Sequence, residues 1–159
     1  MIVKPVPGGY HSITPYLIIN GAAEAITFYK HAFSAMELFR MDTPDGKVGH
    51  AEIQIGDSRI MMADDCGEES LFRNPQSSGS SAVGLHLYVN DVDAVFTQAV
   101  AAGAKVIKPV EDQFYGDRSG ALQDPFGHIW FVATHKEDLS LEQIRQRAEV
   151  RFREAGTAA

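Results

Sequence analysis

The feature that most constrains this chain is an internal repeat. Ile19-Asn20 returns as Val89-Asn90, Gly46 as Gly116 and Tyr16 as His86, each 70 positions later. A period of this size spans one supersecondary unit, and such repeats outrank single motifs when a fold is read. Whatever the first half builds, the second half builds again.

The unit can be read from the first half. Ile13 to Asn20 is a short apolar run ended by Asn20-Gly21, which predicts a strand. Pro15 lacks an N–H, which suits a strand start or an edge. Ala22 to Phe33 carries Ala22, Ile26, Tyr29 and Phe33 at helical spacing with no Gly or Pro, which predicts an amphipathic helix. Met36 to Met41 predicts a second strand, stopped by Thr43-Pro44-Asp45-Gly46. Val48 to Ile55 alternates, with His50, Glu52 and Gln54 on one face and Ala51, Ile53 and Ile55 on the other, as a half-buried strand does. Gly56-Asp57 predicts a tight hairpin into Ser58 to Ala63. With those two residues as the turn, Ile55 faces Ser58, Gln54 faces Arg59 and Glu52 faces Met61.

The second half follows the same order. Val83 to Asn90 predicts a strand. Asp91 to Ala102 predicts a helix, with Val92, Val95, Phe96 and Ala99 on one side and Gly103 as its stop. Strands follow at Lys105 to Val110, near Ser119 to Gln123, and at Ile129 to Thr134. The order β-α-β-β-β thus occurs twice, at 10–64 and at 83–135. The polar linker, 65–82, contains Asn74-Pro75 and Ser77-Ser78-Gly79-Ser80-Ser81. Ser140 with Gln143 is a capping box that opens a C-terminal helix over 140–155. The reading is one α+β domain, 1–159, of two βαβββ modules in curved mixed sheets plus that helix.

Charge and cysteine usage narrow the function. A net charge of -7 argues against nucleic-acid or acidic-membrane partners, which want clustered Lys and Arg. The single cysteine, Cys66, cannot form an internal disulfide, and a reducing cytoplasm fits best. Asp64-Asp65 beside it disfavour a thiolate, so an inert thiol is expected. Met1 to Gly9 is broken by Pro and Gly and does not read as a signal peptide. No apolar run approaches the roughly 20 residues of a membrane helix. HExxH, GxSxG, Walker and GxGxxG motifs are absent.

Thr14-Pro15-Tyr16-Leu17, Ala22 to Tyr29, His50-Ala51-Glu52-Ile53 and Gly56-Asp57-Ser58 carry a family resemblance. It is sharpest at Phe114-Tyr115-Gly116-Asp117-Arg118 and at Asp124-Pro125-Phe126-Gly127-His128-Ile129-Trp130. From about Tyr10 to Leu141 the chain resembles the vicinal oxygen chelate superfamily, whose members include glyoxalase I, extradiol dioxygenases, and fosfomycin and bleomycin resistance proteins. The set is similar to its PhnB-like, glyoxalase-like branch. The resemblance implies that two modules pair into a cup for a small-molecule ligand, and it implies a homodimer. Metal-using members hold one divalent ion (Zn, Ni, Mn or Fe) by residues on the first and last strands of each module, and the ion acts as Lewis acid and template. Carried over singly, those positions are Tyr16, Met61, His86 and Phe131, and only His86 is a good ligand. Some relatives in the branch carry a demethylubiquinone methyltransferase label. This chain lacks the glycine-rich cofactor turn which that chemistry needs.

Glu52 is expected one strand over from Met61. It could join His86 and His50 in a displaced metal site, or act with His86 as a metal-free acid/base pair in an apolar cup. Alternatively it pairs with Arg59 or Lys47 at the rim. Tyr16, Tyr88, Tyr115 and Trp130 are candidate ligand-binding residues, with Trp130 and Phe131 equally readable as core. Arg118 could clamp a carboxylate or phosphate, or bridge Asp112 or Asp117 to hold its loop. His128 reads as structural. Two functions follow: glyoxalase-like lyase or isomerase chemistry on Glu52 and His86, or sequestration of a compound without chemistry. A dimeric scaffold with a vestigial pocket is the third reading.

Overall fold

The computed structural model describes residues 2–157. Met1, Ala158 and Ala159, which the single-domain and N-terminal readings take in, lie outside the described residues. The first module is β1 (Tyr16–Ile19), α1 (Ala22–Phe33), β2 (Met36–Asp42), β3 (Val48–Ile55) and β4 (Ser58–Asp64). The linker carries a 3-10 turn at Gly67–Glu69 and a short helix, α2 (Pro75–Ser78). The second module is β5 (Gly84–Tyr88), α3 (Val92–Ala102), β6 (Lys105–Asp112), β7 (Asp117–Gln123) and β8 (Ile129–His135). A last helix, α4 (Leu141–Thr157), follows.

Each module makes a four-stranded sheet, ordered β1-β4-β3-β2 and β5-β8-β7-β6. The outer pairs β1/β4 and β5/β8 are parallel, and the others are antiparallel. The hairpin register follows the two-residue turn as expected, with Ile55 opposite Ser58 and Glu52 opposite Met61. The repeat holds at the level of single pairs: Tyr16 faces Met61, and His86 faces Phe131. Its period is not constant, however. Phe39 faces Glu52 and Lys108 faces Ala121, so the middle of these strands repeats at 69 (108 − 39 and 121 − 52). β-Bulges and the longer second hairpin absorb the difference. An extra residue kinks a strand without breaking the pairing beyond it.

Polar groups fix each helix to its sheet at equivalent points. Asp64 Oδ1 accepts from the N–H of Gly21 and Ala22, at 3.0 and 2.8 Å, where α1 begins. Seventy residues on, Thr134 Oγ1 accepts from Val92 N–H at 2.9 Å, where α3 begins. Both satisfy donors that a helix start leaves open. Asp91 adds an N-cap, accepting from Ala94 N–H. Ser140 and Gln143 form the expected reciprocal box, at 2.9 and 3.1 Å.

The two modules share one core through their helix-bearing faces. Ala25, Ile26, Tyr29 and Ala32 of α1 are fully buried, as are Ala51 and Ile53 of β3. Tyr29 and Phe33 also lie against Trp130 of the second sheet, with ring centroids 5.3 and 4.6 Å apart. Gln98 of α3 donates to the carbonyls of His31 and Ala32 at the end of α1. Each large apolar side chain buried here stabilises the fold by roughly 1.5–3 kcal/mol. No helix among the described residues is long and apolar enough to cross a membrane.

Candidate functional site

The face of the first sheet turned away from α1 carries the strongest chemistry. On β3 the apolar residues point to the core, so His50, Glu52 and Gln54 point outward. The pairing sets Phe39, Glu52, Met61 and Tyr16 in one row across four strands. Tyr16 Oη lies 3.0 Å from His50 Nδ1, and His50 Nε2 lies 3.1 Å from Glu52 Oε1. A carboxylate only accepts, so Nε2 donates to Glu52 and, in the neutral ring, Nδ1 accepts from Tyr16. Burial raises the Tyr16 pKa, which keeps the phenol protonated and donating.

A strap N-terminal to β1 completes this line. The Tyr10 hydroxyl donates to Glu52 Oε2. The Tyr10 ring lies under the Arg59 guanidinium, 4.6 Å from centroid to Cζ. Glu52 therefore sits among polar partners rather than in the apolar cup expected for it. Among the described residues it pairs with neither Arg59 nor Lys47. Tyr10 was invisible to pattern reasoning, because it lies 42 residues from Glu52 in a segment without periodicity.

The equivalent row on the second sheet is Lys108, Ala121, Phe131 and His86. His86 is exposed, with its ring stacked on Phe131 at 5.9 Å and tilted against Tyr88 at 4.8 Å. Glu52 and His86 stand on different sheets, and no contact joins them. Tyr88 donates to Asp117 Oδ2 at 2.7 Å, which raises its pKa. Asp117 Oδ1 lies 2.8 Å from His135 Nδ1, whose Nε2 lies 2.8 Å from Asp138. Tyr115 packs edge-on against Phe114 at 5.2 Å.

Three other predicted residues take structural positions. Arg118 donates to both carboxylate oxygens of Asp93, at 2.9 and 3.0 Å, and to Asp112 at 3.3 Å. That is the loop-bridging alternative, extended to α3. Trp130 is 2% exposed and donates its indole N–H to Asp124 at 2.9 Å, which makes it core rather than a ligand-facing wall. His128 is buried beside the Ile18 carbonyl, Nε2 to O 3.1 Å, and holds the turn as expected. Cys66 is exposed, with Sγ 3.7 Å from the Asp64 carbonyl.

The superfamily's metal does not fit this donor set. The four positions are now placed by pairing, Tyr16 beside Met61 and His86 beside Phe131. They offer one imidazole, one protonated phenol, one thioether and one phenyl ring. Divalent ions of the Zn, Mn or Fe kind want imidazole, carboxylate or thiolate. Among the described residues, no group of three or more His, Cys, Asp or Glu could hold an ion. The displaced site of His86, Glu52 and His50 is not assembled either, since His86 lies on the other sheet.

Two clefts border these residues. One, of about 420 Å³, runs along β1 between Tyr16, Phe72, Arg73 and Val83. The other, of about 390 Å³, lies between the strap (His11, Thr14), Arg59, and His86 with Tyr88.

Comparison with known proteins agrees with the fold. An uncharacterized protein of Mycobacterium tuberculosis is 42% identical over 138 residues, covering 84% of this chain and 80% of its own. An uncharacterized Arabidopsis thaliana protein, At5g48480, is 32% identical over 122 residues, covering 71% of each chain. Its crystal structure superposes with a TM-score of 0.63, covering 78% of this chain and 98% of that one. The fosfomycin resistance protein FosX of Listeria monocytogenes, solved with Mn(II) and sulfate, shares the fold at 16% identity, with a TM-score of 0.58 over 84% of this chain and 95% of its own. The sequence pattern of one family matches residues 10–132. The chain belongs to that family, the Glyoxalase/Bleomycin resistance protein/Dioxygenase superfamily.

Proposed function

We propose that this protein binds a small oxygen-bearing molecule on the open face of its first sheet and moves a proton on it without a metal ion. The observation that carries the reading is the hydrogen-bonded line from Tyr16 through His50 to Glu52. It occupies the row where metal-using relatives place a ligand. A proton taken from the bound molecule at Tyr16 Oη is balanced by passage of the phenol proton to His50 Nδ1. The imidazolium so formed faces the Glu52 carboxylate, which stabilises it. Listeria FosX, of the same fold, was solved with 1S,2S-dihydroxypropylphosphonic acid, and a ligand of that size and oxygen content suits the cleft beside Tyr16.

The test is deuterium incorporation into the acidic C–H of small 2-oxo and 2-hydroxy acids, followed by NMR in heavy water. Wild type should accelerate exchange for at least one compound. His50→Gln should slow it about 100-fold, the lower range for loss of a positioned acid/base group. Exchange no faster than in buffer, across the panel, would sink the reading.

Binding without chemistry is the second reading. The apolar wall of the cleft favours it, where the Phe72 ring stands edge-on to Tyr16 at 6.2 Å. A compound that binds there and gains no deuterium would favour it over proton transfer.

A further inference from the structure

The strap supplies a side chain where a ligand would sit. Tyr10 N–H donates to the Pro7 carbonyl at 3.1 Å, closing a tight turn with Gly9 at φ 83°. A side chain at position 9 would meet the Arg59 guanidinium, since a Cβ there would lie 2.3 Å from Nη2. The turn therefore needs glycine twice, for its φ and for its approach to Arg59. It delivers the Tyr10 hydroxyl to Glu52 and the Tyr10 ring to Arg59.

Arg59 itself is incompletely served. Its Nε is buried and has no hydrogen-bond partner. A buried unpaired donor costs about 1–3 kcal/mol. The ring of Tyr10 offers no oxygen acceptor to meet it. Beside Arg59 the cleft of about 390 Å³ stays open, bounded by the strap and by His86 and Tyr88.

We infer that Glu52 and Arg59 form a subsite for a hydroxylated aromatic ring, which Tyr10 occupies as a tethered stand-in. The ligand is a phenol that also carries an oxygen acceptor. Its hydroxyl takes the place of the Tyr10 hydroxyl on Glu52. Its ring takes the place of the Tyr10 ring beneath the guanidinium. Its acceptor supplies what Arg59 Nε lacks. The strap competes with it, because a short tether holds its own group at millimolar effective concentration. The apparent affinity is lowered in proportion to the time the subsite is open. This inference rests on the reading of the first sheet's open face as the ligand site, and it names the ligand class.

The test uses 4-hydroxybenzoate, with benzoate and phenol as partial probes, titrated calorimetrically into the full chain. Tyr10→Ala should bind 4-hydroxybenzoate at least tenfold more tightly than wild type. On that variant, benzoate and phenol should each bind at least tenfold more weakly than 4-hydroxybenzoate. Tyr10→Phe keeps the ring on Arg59 and frees only Glu52, so its affinity should fall between wild type and Tyr10→Ala. Adding Arg59→Met to Tyr10→Ala should abolish the advantage of 4-hydroxybenzoate over phenol. Equal affinities in wild type and both Tyr10 variants, or equal binding of benzoate and 4-hydroxybenzoate, would overturn the subsite. Calorimetry reads binding alone. The predicted pattern together with unchanged deuterium exchange in His50→Gln would keep the subsite and discard proton transfer.

Discussion

The Tyr29 hydroxyl lies 2.6 Å from Asp124 Oδ2 and ties the helix of the first module to the last hairpin of the second. The same carboxylate accepts from Trp130 Nε1 at 2.9 Å and from the backbone N–H of Phe126 and His128 at 2.9 and 3.0 Å. Burial first, then the Asp124 charge, hold the Tyr29 phenol protonated with its pKa well above the ordinary value. Tyr29→Phe should cost about 1.5–3 kcal/mol, as expected for a hydrogen bond to a charged group. Asp124→Ala should cost more, because it strands the Tyr29 hydroxyl and the Trp130 indole N–H together. Urea unfolding of both variants measures the difference. Equal stabilities for wild type and Tyr29→Phe would show that the tie contributes nothing.

Arg118 gives a second prediction. Its guanidinium faces two carboxylates, Asp93 and Asp112, and the pairing raises its pKa. A cation so engaged is not available to clamp a ligand. Arg118→Ala should leave 4-hydroxybenzoate affinity, measured in the Tyr10→Ala background, within about twofold, well under the tenfold that 1.4 kcal/mol represents. A tenfold loss would return Arg118 to the ligand site.

What could be read in the chain, and what could not, divides by range. The Glu52–Met61 pairing followed from Gly56-Asp57, because a two-residue turn fixes register locally. The outward face of His50 and Glu52 followed from alternation. Alternation also held the signal separating Trp130 from Phe131: adjacent strand residues face opposite ways, and Phe131 shares the open face with His86. How the two modules sit on each other has no local signature. The expectation that Glu52 and His86 meet failed on that point, as the sheets join through α1 and Trp130 instead. The Tyr10–Glu52 and Arg118–Asp93 contacts, 42 and 25 residues apart, were illegible for the same reason.

His135 gives a pH prediction. Its two ring nitrogens face Asp117 and Asp138, so both must donate and the imidazolium is favoured. The hydrogen bond to Asp117, then that to Asp138, raise its pKa. A pKa raised on folding stabilises the protein fully below the unfolded value, about 6.5, and this is lost as pH rises through the folded value. The approach to α4, beginning at Lys136, should therefore loosen as pH rises above about 6.5. Tyr88 shares Asp117 but stays protonated through this range, so it does not compete for the change. Amide exchange of residues 136–140, corrected for intrinsic rates, should show falling protection between pH 6 and 8.5. His135→Gln should remove most of that dependence. Unchanged pH dependence in the variant would assign the loosening to another group.

The donor set gives the last prediction. Phe131 stands directly across from His86 on the parallel pair, where metal-using relatives would place a carboxylate. Its ring instead stacks on the imidazole at 5.9 Å. Wild-type protein purified without chelator should carry Zn(II) or Mn(II) at well below one ion per chain. Phe131→Glu would set a carboxylate beside His86 on an exposed face, where two donors and water can coordinate. Zn(II) titration should then shift the His86 ring resonances of Phe131→Glu at lower metal concentration than in wild type, and His86→Ala should reverse the gain. Phe131 lies outside the Tyr16–His50–Glu52 line, so deuterium exchange catalysed there should not follow the added metal. A full equivalent of metal in wild type, lost in His86→Ala, would show that this chain keeps its family's ion through donors other than those four.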